Sequence, residues 1–218
     1  MDIMHILSLL GGLGLFLFGM KLMGEGLELV AGSRLKALLE KITSNPFLGV
    51  LVGVLVTGAI QSSSATTVMV VGFLNAGLLK LEQAVYIIMG ANIGTTVTSF
   101  LIGLKISVLA PVAVFIGIVM IMAFKKKLIQ HIGMVIIGFG ILFTGMETMS
   151  GAMSPLKDMP EFVALMGKFS NPLLGILAGA ILTAVIQSSS ASVGILQALA
   201  ASGAVGLGSV IYILFGQN

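Results

Sequence analysis

The segment Pro46–Leu79 reads PFLGVLVGVLVTGAIQSSSATTVMVVGFLNAGLL and carries no charged residue. As one α-helix it would extend roughly 51 Å at ~1.5 Å per residue, whereas the hydrocarbon core of a bilayer is about 30 Å thick. Its densest polar run, Gln61-Ser62-Ser63-Ser64, falls near the middle. Division there gives two apolar arms of roughly 22–24 Å each, short for separate crossings. The spacing predicts a re-entrant helical hairpin, in which one arm enters, the chain turns at the serines and the second arm returns. Backbone that leaves the helix at such depth is tolerated only where it is buried in protein or lines a cavity. The turn is therefore a candidate binding site as well as a topological feature.

The rest of the chain fits the same class. Hydrophobic residues make up 57% and charged residues 9%, against about a quarter charged in an ordinary soluble domain. Everything from Phe169 to Asn218 is also free of charge. The reading is an all-α integral membrane protein. A β-barrel would show short alternating segments with aromatic girdles, and this chain has two Tyr and no Trp. The absence of Cys excludes disulfides and thiolate metal sites. A net charge of +3 reads as membrane orientation and not as nucleic-acid binding. The first apolar segment has no basic n-region and runs past signal-peptide length.

A repeat appears at a constant offset of 126 positions. Asn45-Pro46-Phe47-Leu48-Gly49 matches Asn171-Pro172-Leu173-Leu174-Gly175, and Gln61-Ser62-Ser63-Ser64-Ala65 matches Gln187-Ser188-Ser189-Ser190-Ala191. Tyr86, Gly90 and Asn92 match Tyr212, Gly216 and Asn218; Gly12 and Gly19 match Gly138 and Gly145. No gap is needed, which points to duplication. The first transport repeat is placed at residues 1–127 and the second at 128–218. The second copy stops at Asn218, before counterparts of Ile93-Gly94-Thr95-Thr96, so the chain is expected to be part of a longer transporter.

Charge-free length suggests crossings near Ile3–Met23, Gln83–Leu104, Ile106–Phe124 and Leu128–Met149, with a surface connection bearing Arg34, Lys36, Glu40 and Lys41. A hairpin that does not cross leaves three crossings per repeat. An odd number inverts the second copy, giving an inverted-topology repeat with two re-entrant hairpins, as in many secondary transporters with a site at the midplane. On this plan Arg34, Lys36, Lys41, Lys80, Lys125, Lys126 and Lys127 share one side, while Lys105, Lys157 and Lys168 take the other. The positive-inside rule then puts the first side in the cytoplasm and the N-terminus outside.

Three hydroxyls at a break between apolar arms form a polar concavity. The second arm starts at the serines, so its free N–H groups and positive dipole end face the tip and favour an anion. Serine hydroxyls donate to oxyanions or offer oxygen to cations, and a glutamine carbonyl suits a hard cation such as Na⁺. The ordinary reading of such residues is that they hold membrane helices together. Two copies at one offset, each in mid-segment, argue for a site instead.

These residues resemble the sodium/phosphate cotransporter family, the type II group and its bacterial relatives, over essentially the whole chain. The doubled Gln-Ser-Ser-Ser carries the resemblance, together with Gly90-Ala91-Asn92-Ile93-Gly94-Thr95-Thr96. The resemblance implies phosphate contacts from Ser62, Ser63, Ser64, Ser188, Ser189 and Ser190. It implies sodium ligation from Gln61, Gln187, Asn92, Thr95, Thr96 and, as the counterpart of Asn92, Asn218. The implied activity is sodium-dependent phosphate symport by a multi-pass protein of the plasma (cytoplasmic, inner) membrane, with Na⁺ as coupling ion and no other cofactor. Electrostatics also favours a cation partner. Importing a divalent phosphate against an inside-negative potential costs about 4.6 kcal/mol per 100 mV, and each entering Na⁺ returns about 2.3. Two alternatives stand beside this reading: transport of another oxyanion such as sulfate or a carboxylate, and a non-transporting regulatory component of phosphate homeostasis.

Other features carry less. Lys21 and Glu147 occupy equivalent repeat positions near the ends of spans; a Lys21–Glu25 pair one turn apart is expected over any Lys21–Glu147 partnership. His5 and His131 are isolated in sequence, which speaks against a metal site. Gly11-Gly12-Leu13-Gly14 lies inside an apolar span with no preceding strand, so it reads as helix packing and not as a nucleotide loop. No acid/base pair or activated nucleophile appears at usable spacing, and no enzyme activity is expected.

Overall fold

The structure, a computed structural model, describes residues 2–31, 45–103 and 107–217. Within them the chain folds as α1 (Ile3–Ala31), α2 (Pro46–Ile60), α3 (Ser63–Asn75), α4 (Leu81–Gly103), α5 (Ala110–Ala123), α6 (Lys127–Met153), α7 (Pro160–Lys168), α8 (Pro172–Ile186), α9 (Ser189–Ala201) and α10 (Leu207–Gln217). Short 3₁₀ turns at Ser107–Leu109 and Ser154–Asp158 precede α5 and follow α6. The described residues contain no strand, in agreement with the all-helical reading. The surface connection around Arg34, Lys36, Glu40 and Lys41 lies outside the described residues, as do Lys105 and Asn218.

By length and composition α1, α4 and α6 with its 3₁₀ extension can each cross a membrane. The pair α7–α8 reaches the same apolar length but is bent by 103° at its break. The crossing expected at Ile106–Phe124 is realised as the shorter α5. Pro111 explains where α5 begins, because proline suits the first turn of a helix and disrupts its interior. Many large apolar side chains on these helices and on α5 are exposed, among them Ile3, Phe18, Phe100 and Phe115. Such extensive apolar surface suits a lipid environment and not water.

The duplication is visible in local structure. α2 and α8, and α3 and α9, have the same bounds at the 126-residue offset. Asn45 and Asn171 cap α2 and α8 by accepting from Phe47 N–H at 2.9 Å and from Leu173 N–H at 3.0 Å. Each Asn is followed by proline at the first helical position, whose missing N–H costs nothing there. Gly77 and Gly203 end the second arms with φ of 72° and 78°.

The chain divides into two compact units, each drawing residues from both repeats. One holds Lys21–Leu101 and Ala113–Gly138. Its core joins Val56 and Ile60 of α2 to Val70 of α3 and to Leu79, Ala84 and Ile87 at the start of α4. Here α2 and α4 run side by side in the same direction, with Gly49 against Tyr86, Gly53 against Ile87 and Gly94 against Thr57. The approach is so close that a Cβ on Gly53 would strike the Ile87 carbonyl, and one on Gly90 the Val50 carbonyl. The other unit holds Met1–Met20, Ile102–Val112 and Phe139–Asn218. In it α8 meets α10 in the same manner: Gly179 faces the Ile213 carbonyl and Gly216 the Ile176 carbonyl. Fully buried Phe16 fills the space left by Gly145 of α6 and Gly194 of α9.

Backbone-to-backbone contact leaves no side chain to yield. Gly53→Val is therefore expected to destabilise the protein by at least about 1–3 kcal/mol. Gly72→Ala, where the new Cβ meets nothing within 4 Å, should be neutral or stabilising by about 0.5–1 kcal/mol through helix propensity. Thermal unfolding of the purified protein, followed by size-exclusion chromatography, checks the contrast.

Candidate functional site

Each Gln-Ser-Ser-Ser segment is a break between two short helices. Gln61 has φ 59° and ψ 25°, and Gln187 φ 59° and ψ 22°. They are the two non-glycine residues with positive φ among the described residues. A left-handed residue with a Cβ costs roughly 1–2 kcal/mol, and glycine is the usual choice at a helix C-terminus. Glutamine in that conformation at both breaks is local backbone strain repeated in both copies. Its backbone N–H donates to the Thr57 carbonyl in the first copy and to the Thr183 carbonyl in the second, both at 2.7 Å. Its side-chain amide donates to Gly58 O or Ala184 O, which folds it back over the end of its helix.

The following serine restarts the helix. Ser62 and Ser188 are extended N-caps, their Oγ accepting from Ala65 N–H at 3.1 Å and Ala191 N–H at 3.2 Å. The first intrahelical bonds run from Thr66 N–H to Ser62 O and from Ser192 N–H to Ser188 O. The amides of Ser63 and Ser64, and those of Ser189 and Ser190, therefore have no acceptor inside their helices. They sit at the positive ends of α3 and α9. The cap uses a lone pair of each Ser62 and Ser188 hydroxyl and leaves its proton available to an anion. Each break thus sets the carbonyl end of one helix beside the amide end of the next. The first suits a cation and the second an oxyanion.

The first break is a true reversal. Thr57 Oγ1 donates to Thr66 Oγ1 at 2.9 Å although the residues are nine apart. A continuous helix would separate them by about 13.5 Å. Thr66 passes its own proton to the Ser62 carbonyl at 3.0 Å, so a chain of hydroxyl bonds ties both arms to the tip. Their counterparts in the second copy, Thr183 and Ser192, have no partner for Oγ1 or Oγ among the described residues. Sequence reading did not single out these four positions. The signal was present, since each pair brackets its tip symmetrically, but a lone Thr or Ser in an apolar arm looks like helix glue. Gln217 was also missed: it is 1% exposed, and neither amide atom has a partner among the described residues.

The six serines fall at the two breaks. Ser62, Ser63, Ser188 and Ser189 are partly buried, Ser64 is exposed and Ser190 is buried. Thr95 is buried and its hydroxyl donates to the Ala91 carbonyl at 3.1 Å. Thr96 is exposed, donating to Ile93 O at 2.7 Å. Gly94 and Val97 of α4 touch Thr57 and Gly58, which sets this stretch about one turn before Gln61. Asn92 and Thr96 occupy the face of α4 turned from α2, because Gly90 and Gly94 face α2. Asn218 is outside the described residues. The bland partner proposed for Lys21 is the one observed, Glu25 at 3.8 Å.

The model of the Na⁺/Pi-cotransporter family matches residues 15–151 and 158–218, a span that includes both breaks. The chain belongs to that family. The resemblance carried by the doubled motif is thus borne out, and the protein is a membrane protein of a transporter family. It is 31% identical over 206 residues to the uncharacterized protein YqeW of Bacillus subtilis (strain 168), covering 93% of this chain and 66% of YqeW. It is 28% identical over 214 residues to YjbB of Escherichia coli (strain K12), provisionally described as an inorganic phosphate export protein, covering 98% of this chain and 39% of YjbB. It is 39% identical over 102 residues to the human sodium-dependent phosphate transport protein 2B, covering 46% of this chain and 15% of that protein. The chain spans less than two thirds of the length of each of these relatives. No solved structure matches it significantly.

The contrast between the two hairpins is measurable. Thr57→Val should cost about 1–2 kcal/mol, because it breaks a buried hydroxyl chain. Thr183→Val should be near neutral or stabilising, because it removes a buried hydroxyl without a partner. Matched melting curves of the two variants check this, and equal losses would refute the asymmetry.

Proposed function

We propose that this chain supplies the ion-binding tips of a secondary transporter that moves phosphate together with Na⁺. The observation that carries the reading is the doubled break, with the same left-handed glutamine and the same serine cap in both copies. At each break phosphate oxygens would accept from the free amides of Ser63 and Ser64, or of Ser189 and Ser190, and from the serine hydroxyls. Na⁺ would take carbonyl oxygen at the ends of α2 and α8, with Gln61 and Gln187 nearest. The family resemblance adds Asn92, Thr95, Thr96 and Asn218 as oxygen donors; Asn92 and Thr96, on the face of α4 turned from α2, would serve a Na⁺ held apart from the Gln61 end of α2. Broken helices of this kind serve transporters in the same way, amide ends toward anions and carbonyl ends toward cations. A cation beside the anion offsets the charge that phosphate brings, which is the electrostatic basis for coupling. Insertion of the two copies with opposite topology belongs to the same proposal and rests on the charge distribution along the sequence.

Direction is a separate matter. The name of YjbB speaks of phosphate export and that of the human relative of sodium dependence. The tip chemistry is the same for either direction, and the gradients that act on the bound ions decide it.

Whole protein in proteoliposomes should take up radiolabelled phosphate faster under an inward Na⁺ gradient than with a bulky organic cation in its place. Ser63→Ala combined with Ser189→Ala should lower the rate at least about tenfold, the scale of a lost hydrogen bond to a charged group. Uptake unchanged by the double substitution sinks the tip assignment. Uptake indifferent to Na⁺ sinks the coupling, and stronger competition by sulfate than by unlabelled phosphate would move the substrate to another oxyanion.

A further inference from the structure

The two breaks are bonded alike within each arm and differently between the arms. Gln61 and Gln187 bond back onto α2 and α8 through backbone and side-chain amides. Ser62 and Ser188 bond forward into α3 and α9 through their hydroxyls. Parting the two arms would break none of these bonds. In the first copy a further bond crosses from arm to arm, from Thr57 Oγ1 to Thr66 Oγ1 at 2.9 Å. In the second copy Thr183 Oγ1 and Ser192 Oγ stand at those positions, both buried and both without a partner among the described residues. A buried hydroxyl without a partner carries a desolvation penalty, which water reaching it removes. The closed second hairpin therefore bears a penalty that the first does not.

The arms of the second hairpin also have different neighbours. α9 buries Ser190, Ala191, Ser192, Gly194, Leu196 and Ala198. Gly194 is seated on α1: a Cβ there would collide with the ring of Phe16, which is itself fully buried. The counterpart of Gly194 in the first copy, Val68, is 71% exposed. α8 buries only Gly175 and Gly179, and both lie on α10, against Tyr212 and the Ile213 carbonyl. α10 is bonded in turn to α7, where Ser209 Oγ donates to the Met166 carbonyl at 2.8 Å. α7, α8 and α10 thus form one block, and α9 is fixed to α1. The two are joined by the Gln187–Ser188 link at the tip and by the turn at Gly203, where φ is 78°.

We propose that the second hairpin is a gate: α8 parts from α9 about the Gln187–Ser188 link and admits water to Thr183 and Ser192, while the first hairpin stays closed on its Thr57–Thr66 bond. Hinges of this kind are a few residues at element ends that absorb a change in φ and ψ while the packed helices on either side move as bodies. The glycine contacts of α8 with α10 and the Phe16 seat of α9 supply those bodies. Closure buries two hydroxyls without partners and opening hydrates them, so the two states differ little in energy and both are populated. The first hairpin lacks this balance, because opening it would sacrifice a buried bond between its arms. The motion follows from the bonding of the arms and holds whatever ions the tips receive.

Spin labels at the bases of the arms read the opening directly. These 218 residues contain no cysteine, so Phe47→Cys with Asn75→Cys, and Leu173→Cys with Ala201→Cys at the repeat-equivalent positions, put one label on each arm. All four residues are exposed. Distances are measured by pulsed electron paramagnetic resonance on whole protein in nanodiscs, with any other cysteine replaced by serine, in the presence and absence of Na⁺ and phosphate. The first pair should give one narrow distance and the second an additional, longer population. Thr57→Val should bring a longer population to the first pair. Thr183→Val combined with Ser192→Ala should lower that of the second pair at least about fivefold, the scale of a buried hydroxyl relieved of its penalty. A single narrow distance for the second pair of the parent under every condition would overturn the proposal. So would a longer population in the first pair as large as that in the second. The distances require no transport, so either result leaves the phosphate and Na⁺ assignment to the uptake measurements.

Discussion

A helix that stops inside an apolar segment leaves carbonyls at its end and amides at the start of the next helix, with little water to satisfy them. The chain meets this constraint twice in the same way. A left-handed glutamine turns its backbone N–H and its side-chain amide back onto the preceding helix. A serine cap then takes up one amide of the following helix. What remains unsatisfied is directional: amides on one side of the break and carbonyls on the other. The turn is stable enough to form and still keeps polar groups unsatisfied at its tip, and both properties come from the same few hydrogen bonds.

Those breaks can be held in place because the flanking helices pack at backbone contact distance. Gly53 with Gly90, and Gly179 with Gly216, let α2 meet α4 and α8 meet α10 without intervening side chains. Among lipid-facing helices there is little hydrophobic drive for association, and close van der Waals packing of small residues replaces it. Repetition of the contact explains why two segments of different composition reach the same bounds and the same break conformation.

The copies then diverge in their polar interiors. The Thr57–Thr66–Ser62 chain binds the first hairpin's arms together, while Thr183 and Ser192 leave the second without that tie. Along α1 and α6 one copy retains the Lys21–Glu25 pair, and the other carries Glu147 with Gly151 around a cavity. A duplicated fold keeps its backbone because glycine contacts tolerate no side chain. Its polar positions are free to differ, and new chemistry can arise there.

Much of this was legible in the sequence. Charge-free length, the mid-segment serines and the constant offset were enough to identify the membrane class and the two broken segments, because apolar span length and duplication are linear properties of a chain; the family came from the resemblance that the doubled motif carries. The boundaries of α2 and α8 were readable from Asn-Pro at one end and Gln-Ser at the other, since capping is local. Tertiary structure decided the rest. The α5 segment proved shorter than its apolar run, because Pro111 and not hydropathy determines where the helix begins. That Thr57 reaches Thr66, that Asn92 and Thr96 turn from α2, and that His5 shares a cavity with Glu147 depend on which helix faces meet. Helix faces meet through packing between residues far apart in the chain, and no local pattern of composition or spacing encodes that choice.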